Sequence, residues 1–181
     1  MDESTIIRSG DLFVTPVVSD ETLAKAYFQM KEEGTLERVF YQGIPTLRQF
    51  LIEFLTEGRR VTLGCFRDVG KPEPEYCGMG WVLASVSMDG WTRSETGMCF
   101  SRNQSRQTDN LKFGQLMMES FFRRYDIDVL FGCTPSANRA ALKYARALGM
   151  TLNGPIPGLC CWRGEISSGW ISTMLRSEWP K

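Results

Sequence analysis

Apolar and polar positions alternate at two periods along the chain, and the two periods partition it into strands and helices. Residues 11–18 alternate loosely and predict a first strand. Asp20 follows as a cap for a helix that turns Leu23, Ala26, Tyr27 and Met30 inward. Residues 31–43 form a polar, acidic connector that carries Phe40 and Tyr41. A second helix spans 46–57, opened by the Thr46/Gln49 capping box, striped by Leu47, Phe50, Leu51, Phe54 and Leu55, and ended by Gly58. Strands at 60–66 and 76–87 flank a turn at 68–74 that bears proline and glycine, and a third strand covers 95–101. Residues 111–125 read as a helix with Gly114, Met117, Met118, Phe121, Phe122 and Tyr125 on one side.

The stretch 131–150, FGCTPSANRAALKYARALGM, is the most informative. A short apolar strand at 129–133 meets a Thr134-Pro135-Ser136 break, and Asn138 opens a helix that stops at Gly149. Ala140, Ala141, Tyr144, Ala145 and Leu148 share one face of it, opposite Arg139, Lys143 and Arg146. Small residues on the inner face let such a helix lie close to a sheet. Two strands, 156–163 and 169–175, close the chain. The sum is one α+β domain over residues 1–181, with no repeat or linker interrupting it.

Composition narrows the chemistry. At 181 residues the chain suits one core that buries roughly 70% of the unfolded surface. Lys plus Arg and Asp plus Glu balance at 21 each, which disfavours nucleic acid and anionic membranes as partners. The longest weakly polar run, 78–88, is too short to span a bilayer, and the acidic N-terminus lacks a signal-peptide layout. The expectation is a cytoplasmic protein. Six cysteines occur without any C-x-x-C pair and without a single histidine, so zinc binding is disfavoured and histidine-based catalysis is excluded. The cysteines are expected to be reduced thiols packed as small hydrophobes.

The Asn138, Ala141 and Gly149-Met150 spacing resembles the last strand-helix unit of the GNAT acyltransferase superfamily, and the order of elements matches that fold over nearly the whole chain. The resemblance implies a GNAT-like fold, a mixed central sheet of about seven strands flanked by four helices. It also implies acetyl-CoA or another acyl-CoA as cosubstrate, its pantetheine arm lying between two splayed strands, here 95–101 and 129–133. Backbone groups of Met98, Cys99 and Phe100 would line that gap, and Asn138 is a further candidate for binding the cosubstrate. The family's glycine-rich phosphate loop is matched only by Gly114. Asn110 and Lys112 stand at the earlier glycine positions and Asp109 at the arginine, while Arg102, Arg106 and Lys112 offer charge for phosphate.

Glu95 stands where some family members carry the base that deprotonates an amine, although a strand glutamate beside a turn also serves as plain surface. The family's helix tyrosine acid would fall on Ala145, one residue past Tyr144. Two functions remain open from the resemblance. One is N-acyl transfer to a primary amine of a small molecule or protein, with the 31–43 connector roofing the acceptor pocket and its Glu32, Glu33 and Glu37 attracting the cation. The other is a catalytically inactive GNAT-like phage protein acting in head assembly in the host cytoplasm. The ANRAA, LGM and Gly154-to-Gly158 segments resemble that group, and Trp91, Trp162, Trp170 and Trp179 are candidates for its protein partner's surface.

Overall fold

The computed structural model describes residues 6–17, 19–41, 43–55, 60–70, 72–83, 86–103 and 107–179. Its elements run β1 (Ile7–Ser9), β2 (Leu12–Pro16), α1 (Asp20–Glu32), α2 (Leu36–Val39), α3 (Leu47–Leu55), β3 (Arg60–Arg67), β4 (Glu75–Leu83), β5 (Val86–Met88), β6 (Trp91–Phe100), α4 (Gln107–Arg124), β7 (Val129–Pro135), α5 (Arg139–Ala147), β8 (Thr151–Trp162) and β9 (Glu165–Leu175). The strands make one mixed sheet in the order β1-β2-β3-β4-β6-β7-β9-β8, with β5 paired on β6. Nine strands and five helices, counted among the described residues, replace the expected seven and four: β1, β5 and the single-turn α2 are too short to carry a readable period.

The two faces of the sheet hold separate cores. On one, Phe113, Met117, Met118, Phe121 and Phe122 of α4 pack with Ala145 and Leu148 against Leu12, Val14, Leu63 and Leu130 of the strands. On the other, Leu23, Tyr27 and Met30 of α1 meet Phe50 and Phe54 of α3 over Met79 and Cys99. Each large side chain fully buried this way contributes about 1.5–3 kcal/mol. A bulge helps divide the cores. Cys65 pairs with Gly78 and Phe66 with Tyr76, so Cys77 is the extra residue; it joins the α4 core while Met79 joins the α1 core.

Local signals held at some ends and moved at others. The Thr46/Gln49 box forms as expected: Thr46 N donates to Gln49 Oε1 at 2.8 Å and Gln49 N to Thr46 Oγ1 at 3.3 Å. The expected stop at Gly58 lies outside the described residues. Ser19, rather than Asp20, caps α1, its Oγ accepting from Thr22 N at 3.2 Å. On α5 the buried residues are Leu142 and Ala145, with Leu148 just beyond, while Ala140 is exposed. The inward face is therefore rotated from the expected one. Cys65, Cys77 and Cys99 are buried as expected, and burial pushes their thiols up, to about 11 for Cys77 and about 12 for Cys99. Cys133, in contrast, is exposed, and Cys160 and Cys161 are half-buried. Among the described residues no helix is long and apolar enough to cross a membrane, and no cluster of three ligating side chains could hold a metal.

Helix α4 begins at Gln107, four residues before the expected Leu111. Asp109 in its first turn is held by Arg67 of β3, which also binds Glu75 Oε2 at 2.9 Å. That contact draws the start of the helix onto the β3–β4 end of the sheet. Gly114 is buried on α4, where a Cβ would stand 2.0 Å from Tyr144 Oη and 2.7 Å from Leu148 Cδ2. Its lack of a side chain is what lets α5 close against α4.

Candidate active site

Among the described residues β6 and β7 are the only parallel neighbours in the sheet, and they pair over three residues: Arg93 with Val129, Ser94 with Leu130, and Glu95 with Phe131. Beyond that point each strand keeps its outer partner. β6 remains bonded to β4 as far as Phe100, and β7 to β9 as far as Pro135. The inner edges therefore separate into a wedge. Gly132 sits near its apex, where a Cβ would stand 3.1 Å from Thr96 O. A cleft of about 1420 Å³ opens from the wedge. Its walls include Glu95, Met98, Cys99, Phe100, Arg102, Asn138 and Tyr144. Backbone N–H and C=O groups along such an unpaired edge are suited to bonding an extended ligand as another strand would.

Glu95 is the last β6 residue paired with β7, partly exposed on the cleft wall, and no described residue forms an ion pair or hydrogen bond with it. Its charge acts on the neighbouring Cys133 thiol, which partial desolvation of the sulfur and then the Glu95 carboxylate push upward although the residue as a whole is exposed. The other carboxylate on the cleft wall, Glu53, is paired with Arg60, whose guanidinium also stacks over Phe54 and Trp81. Trp81 in turn lies across Gly97, leaving no room there for a side chain.

Asn138 caps α5, its Oδ1 accepting from Ala141 N at 3.3 Å, while its Nδ2 donates to Tyr41 Oη at 3.2 Å. The connector expected to roof the acceptor pocket does reach the cleft, through Arg38, Phe40 and Tyr41 among others. The Tyr41 ring packs on Trp162 with centroids 5.5 Å apart. Tyr144 faces the cleft too, but its hydroxyl donates to Asn110 O at 2.8 Å, and burial raises its pKa.

Arg102 lines the cleft mouth on an exposed turn after β6. Glu33 organises that turn, accepting from Ser101 Oγ at 2.6 Å and from Arg102 N at 2.8 Å. Glu33 is therefore a structural ligand of the turn. Glu32 and Glu37 are exposed and do not line the cleft. Lys112 is exposed on α4 and Gly114 lies beneath Tyr144; neither lines the cleft. Arg106 lies outside the described residues. Of the four tryptophans weighed as a partner surface, Trp91 is 53% exposed and the other three are partly buried, Trp162 against Tyr41 and Trp179 against Phe122. The sequence missed Tyr41 and Cys133. For Cys133 the period-two alternation of β7 could have signalled a cleft-facing position; for Tyr41 no local pattern exists.

No protein-family model and no curated protein matches the sequence. Solved structures do. An acetyltransferase from Salmonella typhimurium, described as modifying the N-terminal serine of ribosomal protein L7/L12, superposes with a TM-score of 0.76 at 17% identity, over 94% of this chain and 98% of that one. The ribosomal-protein-S5-alanine acetyltransferase of Vibrio fischeri gives 0.75 at 10% identity, over 97% and 99%. Spermidine N-acetyltransferase from Vibrio cholerae, in complex with CoA and spermine, gives 0.72 at 8% identity, over 94% and 99%. Coverage of this extent, with the wedge between β6 and β7, establishes that the chain has the single-domain α+β fold of the GNAT N-acetyltransferases.

Proposed function

We propose that the protein is an acyl-CoA-dependent N-acyltransferase that acts on a primary amine. The observation that carries this reading is the parting of β6 and β7 immediately after Glu95 and Phe131, with a cleft large enough for an extended cosubstrate. In this reading the pantetheine arm bonds the free backbone edge of Met98, Cys99 and Phe100. Asn138 lies opposite, and the phosphates meet Arg102, Lys143 and the N-terminal end of α4. Asp109 does not oppose those phosphates, because Arg67 neutralises it and holds it toward β3.

The chemistry follows from the groups on the walls. A primary ammonium with a pKa near ~10 is unreactive until it loses a proton, and Glu95 is the unpaired carboxylate placed to accept it. The amine nitrogen then adds to the thioester carbonyl. The oxyanion that develops is stabilised by backbone N–H groups on the free edge of β6. A non-catalytic interaction protein, such as the head-assembly role, is the second reading. It draws on the Glu33 carboxylate already bonded to the Ser101–Arg102 turn, where an anionic ligand would otherwise find the Arg102 N–H.

Thermal melting separates the two. Acetyl-CoA at ~100 times its dissociation constant should stabilise the fold by about 2.7 kcal/mol, a rise of roughly 5–10 °C in a domain of this size. No shift at millimolar cosubstrate supports the interaction protein and removes the acyltransferase.

A further inference from the structure

Collapse of a thioester adduct expels sulfur with a negative charge, and a nearby O–H that is not otherwise committed can quench it. Two tyrosines reach the cleft. Tyr144 is spent: its hydroxyl proton is donated to Asn110 O at 2.8 Å, beneath α5 and against Gly114. Tyr41 is the opposite case. Its oxygen is an acceptor, from Asn138 Nδ2 at 3.2 Å, and its proton has no acceptor among the described residues.

Resting on the acyl-transfer reading, we propose that Tyr41 is the proton donor to the leaving thiolate, a catalytic residue supplied by the loop after α2 and not by α5. Asn138 cannot turn its amide around without losing the α5 cap, because Oδ1 is held by Ala141 N at 3.3 Å. The Nδ2 donor, and hence the phenol oxygen it grips, are thereby fixed at the end of β7. Trp162 supports the ring from the β8 side. The phenol is kept protonated: burial raises its pKa, and only the Asn138 hydrogen bond acts in the opposite direction among the larger influences.

The proton balance closes without any further reactant. Glu95 takes one proton from the substrate ammonium and passes it to solvent. The nitrogen lone pair forms the C–N bond, and the C–S bond breaks with its electron pair going to sulfur. The Tyr41 proton moves to that sulfur as it departs, giving the free CoA thiol. The phenolate recovers a proton from the nitrogen of the nascent amide, directly or through one water. One proton is released per turnover. Because a phenol is a weaker acid than a thiol, transfer has to accompany C–S cleavage and be followed at once by this recovery.

The test is Tyr41→Phe, which keeps the ring on Trp162 and removes only the hydroxyl. A donor to sulfur should lower kcat about 10²-fold when lost, with little change in CoA affinity or melting temperature. Independently of any acceptor amine, the thiol of bound CoA, followed by its ultraviolet thiolate absorbance, should ionise about one pKa unit lower in the wild-type protein than in Tyr41→Phe. Equal thiol ionisation and equal kcat in the two proteins would overturn the role of Tyr41 while leaving acyl transfer standing. A wild-type protein that binds no CoA would overturn acyl transfer, and the tyrosine's role with it.

Discussion

Glu95→Gln is expected to lower kcat for amine acetylation at neutral pH by about 10²- to 10⁴-fold, with acetyl-CoA affinity essentially unchanged. The side chain is nearly isosteric and sits on the cleft wall without a described partner, so the substitution breaks no ion pair and leaves the β6–β7 pairing intact. What it removes is the acceptor for the substrate proton. The sign of the pH dependence follows. As pH rises toward the amine's own pKa, near ~10, the free amine no longer needs a base and the variant should approach the wild type. The Cys133 thiol gives a second readout, since the Glu95 charge helps push it upward; the variant should bring its titration closer to that of an ordinary thiol. Turnover unchanged at neutral pH would remove Glu95 from the chemistry.

Arg67→Met should cost about 3 kcal/mol of folding stability, a drop of roughly 10 °C in melting temperature for a domain of this size. Arg67 is largely buried, with 16% of its side chain exposed, and joins Glu75 of β4 to Asp109 of α4. Removing it leaves two carboxylates in a poorly solvated place, which costs more than the pair itself contributes. Asp109→Asn in the same chain should recover part of the loss, because one of the abandoned charges is gone. The Arg67→Met protein should also bind CoA more weakly, since an unneutralised Asp109 at the start of α4 repels phosphate. A melting temperature within a degree or two of wild type would mean that the network is only surface decoration.

The parts of this fold that were readable from sequence are those governed by local rules. The α3 capping box and its Phe50/Phe54 stripe need only neighbours three and four residues apart, and both form as the pattern requires. Asn138 is legible for the same reason, as a cap three residues before Ala141 N. The rest depends on partners distant in the chain. Asp109 reads as a misplaced charge until Arg67, 42 residues earlier, is seen to hold it. Gly114 reads as a remnant of a phosphate loop, yet its space is filled by Tyr144 from the next helix. Tyr41 lies in a loop without periodicity, and it enters the site through a bond to a residue 97 positions away. Even the choice between Ser19 and Asp20 as cap of α1 turned on one residue, because both side chains are competent acceptors.

Hydrogen–deuterium exchange with and without saturating CoA probes the open strand edges most directly. Segments 96–100 of β6 and 132–138 of β7 and the α5 cap should exchange more slowly in the complex, because a ligand strand covers the edges that separate after Glu95 and Phe131. Unchanged exchange in both segments, at concentrations that saturate binding or reach the millimolar range, would contradict a cosubstrate held between them.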